Sequence, residues 1–137
     1  MLAVFLDYGY NICVDGGFEM NDIYTIELSQ ELFDRFINDK NKYLVVINFP
    51  KRSVYKTGNI LTVVKKENGV ELEKKQVVIK GFLYFETLKE LVEMVGKKQL
   101  GYSAGVTTDK IEDIYNRFNK NVDIQKHGLM AIEYENI

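Results

Sequence analysis

The apolar positions change period several times along the 137-residue chain, and each change marks an element. Leu32, Phe33, Phe36 and Ile37 fall on one helical face, and Ser29 stands before them as an N-cap, which predicts a helix over 30–38. YLVVINFP, 43 to 50, is a β-type run that Pro50 ends, because proline lacks the ladder N–H. Asn59 to Lys65 is a second β run. Glu67-Asn68-Gly69 carries an Asn-Gly hairpin signal, and Val70 to Phe85 is the returning strand or strands. Leu88, Leu91, Val92 and Val95 then repeat at helical spacing up to the stop at Gly96. Ile111, Ile114, Tyr115 and Phe118 repeat it again, with Thr107, Thr108 or Asp109 as the cap. GLMAIEYE closes the chain as a short strand. Ahead of all this, LAVFLDY, the turn signal Asp15-Gly16-Gly17 and Ile23-Tyr24-Thr25-Ile26 read as extended structure.

The order is strands, helix, hairpin, two helices, final strand, which is not the alternation of a doubly wound sheet. The expectation is therefore an α+β fold, a small mixed or antiparallel β-barrel with helices packed outside it. Residues 1–137 form one domain, with no linker, repeat or low-complexity segment. Ile60, Val63, Leu91, Val92, Ile114, Phe118 and Ile132 should share its core.

Composition narrows the function classes. Apolar residues at 46% and charged residues at 28% place the chain among globular domains rather than disordered ones. No apolar run approaches the ~18 residues of a membrane span. The start, MLAVFLDYGYN, lacks the basic region of a signal peptide, so the expectation is a cytoplasmic protein without a membrane partner. A lone cysteine, Cys13, reads as a small core residue, and no Cys/His spacing suggests a metal or cofactor.

Charge is distributed unevenly behind a net value of −2. Residues 1–39 hold eight acids and one base, whereas residues 40–80 hold ten bases and three acids. Within that basic centre Lys40, Lys42, Lys51, Arg52 and Lys56 flank one strand, with Tyr43, Phe49 and Tyr55 interleaved. Cations that neutralise phosphates and rings that stack bases are what single-stranded nucleic acid requires. Lysines at strand ends also simply keep them soluble, the reading that suits Lys65, Lys66, Lys74 and Lys75 around the hairpin tip. Catalytic signatures are sparse. His127, the single histidine, reads as a solvated turn residue, and Gly101 and Gly105 match no phosphate-loop spacing.

From Ile23 to Glu135 the chain resembles the ASCH domain family, a branch of the PUA-like superfold. The resemblance rests on ELFDRFINDKNKYLVV, VYKTGNILTV, YFETLKEL, IEDIYNRF and HGLMAIEY, in the family's order. It implies a PUA-like barrel over 23–137 with residues 1–22 as an N-terminal extended addition. Tyr55 to Asn59 would be the turn entering a barrel strand, with Asn59 where the family usually has aspartate. The family's cleft is lined by the strand after the first helix, often with Gly-x-Lys-x-x-x-Glu-x-Arg, or Lys-Thr-x-Thr-x-Arg in its hydrolases. If Lys40 is the family lysine, Leu44 and Val46 replace the glutamate and arginine. If it is Lys42, Tyr43 and Val45 replace the threonines and Ile47 the arginine.

The resemblance implies a module that binds RNA or a nucleotide. Lys40 or Lys42 would contact phosphate with Lys51, Arg52 and Lys56, and Tyr43 or Tyr55 would stack a base. Loss of the polar cleft partners argues against turnover. Two alternatives stand beside this reading. One is an amidohydrolase-like enzyme on a modified nucleoside, using Asp109 or Glu112. The other is a protein-interaction module, of the kind a mobile element encodes, that keeps only the fold.

Overall fold

A computed structural model describes residues 22–38 and 41–137. LAVFLDY, Cys13, the Asp15–Gly17 turn and Lys40 lie outside the described residues. The elements are β1 (Ile23–Leu28), α1 (Gln30–Phe36), β2 (Tyr43–Ile47), β3 (Ile60–Glu67), β4 (Val70–Phe85), α2 (Leu88–Val95), α3 (Thr108–Phe118), α4 (Asn121–His127) and β5 (Leu129–Asn136). Short 3₁₀ turns occupy Pro50–Val54 and Lys98–Leu100.

The five strands form one mixed sheet in the order β1-β3-β4-β5-β2. β1 runs parallel to β3, and every other pair is antiparallel. The 16-residue β4 makes the sheet curl. Its first half pairs with β3 and its second half with β5, the two ladders overlapping at Val77 and Val78. That stagger, with irregularities at Lys65/Lys66 and Ile79/Gly81, turns the sheet into a half-barrel. Among the described residues the ladder does not close, and β1 and β2 are its two edges.

Local sequence accounts for most of these elements. Ser29, Thr87 and Thr107 each accept a hydrogen bond from a backbone N–H three residues on, capping α1, α2 and α3. Asn68 and Gly69 both take positive φ at the β3–β4 hairpin tip. The core joins Phe33 and Phe36 of α1 to Leu61 and Val63 of β3, Ile79 of β4, Leu91 of α2, Ile111 and Ile114 of α3, and Ile132 of β5. The Tyr134 hydroxyl donates to the Phe36 carbonyl at 2.8 Å and stitches the end of α1 to β5.

Several expectations are corrected. Ile37 is exposed because α1 ends one residue before it. Phe118, at the last position of α3, is 42% exposed and outside the core, and Ile60, at the start of β3, is only half-buried and also outside it. β2 stops at Ile47, and the residues up to Pro50 already leave the sheet. α4 was not legible: Lys120 at its N-cap makes no side-chain cap, and Ile124 is its one buried residue. His127 ends that helix half-buried.

Candidate nucleic-acid interface

β2 is the strand in which a PUA-like cleft would place polar groups, and here it is packed shut. Leu44, Val45, Val46 and Ile47 are all buried, so either alignment of the lysine leaves apolar side chains inside the protein. Polar surface is confined to the strand's two ends. Five residues of extended chain separate those ends by about 16 Å, so the residues singled out in sequence do not make one patch.

Lys42 and Tyr43 belong to the first end. The Tyr43 N–H donates to Oδ1 of the buried Asn41, and the Lys42 N–H to the Gln99 carbonyl. Tyr43 sits opposite Glu133, and burial followed by that carboxylate raises its hydroxyl pKa. The half-buried ring packs against the core rather than standing free to stack. Lys42 shares a cavity of 330 Å³ with Lys75, Glu133 and Glu135. Lys75 is thus a cavity residue, its ammonium 5.5 Å from the Phe36 ring centre, and not an ornament of the hairpin tip.

Lys51, Arg52, Tyr55 and Lys56 lie on the crossover from β2 to β3. Arg52 folds back on the strand it follows: its Nη1 donates to the Ile47 carbonyl at 2.6 Å and its guanidinium lies 5.3 Å from the Phe49 ring centre. It holds the crossover more than it faces solvent. Lys51 is exposed, with Nζ 5.8 Å from the same ring. Tyr55 packs its ring 5.0 Å from that of Tyr24 on β1, so it serves the core. Lys56 is exposed at the turn into β3, where Gly58 takes φ +94° and its N–H donates to the Ile79 carbonyl.

Phe49 is the centre of this end. Besides the two cations, its ring meets the edge of His127 at 5.2 Å. His127 in turn lines a surface cavity of 780 Å³ with Asn48, Tyr84, Phe85, Glu86 and Lys126. Gly128 makes the approach possible. Its φ is +76°, and a Cβ there would lie 2.9 Å from the Phe85 carbonyl oxygen. Tyr84 is 61% exposed at the rim and stacks on Phe82, two residues back on the same strand face, at 6.4 Å. Tyr84, Lys126 and His127 were missed in sequence. The spacing of Phe82 and Tyr84 was the available signal, but only β5 pairing brings that pair beside α4.

An open ring, neighbouring cations and hydrogen-bonding side chains around a cavity of this size can hold a base and its phosphate. Acid–base chemistry has less support. Asp109 and Glu112 stand on the first turns of α3, and neither lines this cavity or the one at Lys42. Among the described residues no His/Cys/Asp/Glu group could hold a metal ion, and no helix is long and apolar enough to cross a membrane.

The fold has solved counterparts. The crystal structure of hypothetical protein PH0355 superposes with a TM-score of 0.66 at 25% identity, over 84% of this chain and 99% of that one. The solution structure of protein PF0455 from Pyrococcus furiosus gives 0.58 at 24% identity, over 86% and 98%. No family model matches the chain, and no curated protein does.

Proposed function

We propose that this chain is an ASCH-like, PUA-type half-barrel that binds single-stranded RNA or a nucleotide without turning it over. The observation that carries the reading is the exposed Tyr84 ring at the rim of the 780 Å³ cavity, with Lys126 and His127 in its wall and Lys51 on the adjoining Phe49 cluster. A base stacks on Tyr84, and the lysines follow the backbone. Apolar β2 lacks the polar groups that the ASCH resemblance implies for a hydrolytic cleft, which supports binding without turnover.

The test is a salt titration of fluorescent single-stranded RNA binding. Each phosphate contact contributes a slope of about −0.7, so two or three contacts give about −1.4 to −2. Replacing Lys51 and Lys56 by glutamate should flatten the slope. The same change at Lys110 and Lys120, exposed on and after α3, should not. Equal losses from both pairs would reduce the binding to diffuse attraction. No binding at low salt would leave the protein-interaction reading.

A further inference from the structure

A second cavity, of 670 Å³, lies away from the Tyr84 face, between the end of α1 and the loop 97–104. Arg35, Lys97 and Lys98 line it, together with Ser103 and Ala104, and no acidic residue does among the described residues. We infer that this cavity is a binding site for a phosphate monoester.

Among the described residues the cations are uncompensated, for a structural reason. α1 carries two acids within a turn of Arg35, and both are engaged elsewhere. Glu31 takes the guanidinium of Arg117 on α3 at 3.2 Å, and Asp34 takes Lys65 on β3 at 3.1 Å. No carboxylate among the described residues pairs with Arg35, Lys97 or Lys98. Unpaired cations gathered around a concavity raise the local concentration of anions.

The wall is also rigid. The Arg35 guanidinium lies 4.5 Å from the centre of the buried Tyr102 ring, which fixes its plane while its N–H groups make no hydrogen bond among the described residues. Gly101, at φ +83°, brings the loop onto the helix end so closely that a Cβ would lie 2.7 Å from the Arg35 carbonyl oxygen. The Ser103 and Ala104 backbone N–H groups have no acceptor among the described residues. A fixed guanidinium, two ammonium groups, a hydroxyl and free amides match the charge and the several acceptor oxygens of a phosphate dianion.

This goes beyond the RNA-binding reading, since it uses neither Lys51, Lys56 nor Tyr84, and the experiment separates the two. Calorimetric titration of the full chain carrying Tyr84→Ala, which removes the stacking ring of the other site, with inorganic phosphate, adenosine monophosphate and adenosine should show saturable binding of the first two and none of the third. Affinity should fall as pH drops through ~6, where the phosphate loses its second charge. Lys97→Gln with Lys98→Gln, the first half-buried and the second exposed, should weaken binding about tenfold. Lys51→Glu with Lys56→Glu should leave it unchanged. A 5′-phosphorylated oligonucleotide that outbinds its 5′-hydroxyl form, only with Lys97 and Lys98 present, would make a strand end the source of the phosphate. Adenosine binding as well as its monophosphate, no saturable phosphate binding at low salt, or equal affinity in the Lys97/Lys98 variant would overturn the site.

Discussion

Lys56 and Asn59 hold each other twice: the Lys56 N–H donates to Asn59 Oδ1 at 2.8 Å, and the Asn59 N–H donates to the Lys56 carbonyl at 3.0 Å. Asn59 is one of two buried polar residues among the described residues, and its own carbonyl accepts from the Ile79 N–H. The turn is thereby welded to β4 before β3 begins. Asn59→Ala should cost about 1–2 kcal/mol in urea unfolding, because it orphans a part-buried donor. Asn59→Asp keeps the acceptor and should lose less; equal losses would show that the side-chain bond does not matter.

Arg52 should behave as a structural residue. Arg52→Ala removes the donor to the Ile47 carbonyl and the cover over Phe49, at a cost of about 1–3 kcal/mol. Lys51→Ala, exposed beside it, should leave the unfolding midpoint within about 0.5 kcal/mol. RNA affinity lost through Arg52 should come with lost stability, and affinity lost through Lys51 without it.

Tyr102 makes the fold sensitive to alkali. Burial pushes its hydroxyl up to about 12, although Arg35 pulls the other way. The unfolded chain ionises near ~10, so this contribution is complete below that pH and disappears as pH rises towards the folded value. Burial also raises the Tyr115 and Tyr134 hydroxyls, which add to the same loss. Thermal unfolding should therefore drop steeply over that window, and Tyr102→Phe should make the drop shallower. At neutral pH this substitution should not destabilise, because the buried hydroxyl has no hydrogen-bond partner among the described residues.

Tyr84 should matter for ligand and not for folding. Tyr84→Ala removes a largely exposed ring and should weaken single-stranded RNA binding by about 1–3 kcal/mol in a fluorescence titration. Its salt slope should stay that of the unsubstituted protein, because stacking releases no counterions. A variant that binds as before would move the base elsewhere.

Tyr134→Phe should cost about 1–2 kcal/mol. Its hydroxyl donates to the Phe36 carbonyl at 2.8 Å and lies 3.3 Å from that of Asn41, and a phenylalanine leaves both ends of the α1–β2 connection without that donor. Chemical unfolding measures it directly.

What the sequence determined by itself is local. Capping hydroxyls at Ser29, Thr87 and Thr107 and apolar spacing located three helices, and Asn68-Gly69 located the hairpin, because each signal acts within a few residues of itself. The apolar run from Leu44 to Ile47 likewise showed that β2 holds no polar cleft. The tertiary structure decided which of these neighbours meet. Chain order put Lys40, Lys42, Lys51, Arg52 and Lys56 together, yet an extended strand pushes residues four or five apart to opposite ends of a sheet. Arg52 and Tyr55 are interleaved with those lysines in sequence, but backbone and core claim them in space. Tyr84 and His127 stand 43 positions apart, and the pairing of Phe85 with Leu129 makes them walls of one cavity. Arg35 and Lys98 converge only because Gly101 lets a loop press against a helix end. Such contacts depend on strand register and packing between distant segments, which no short window of residues encodes.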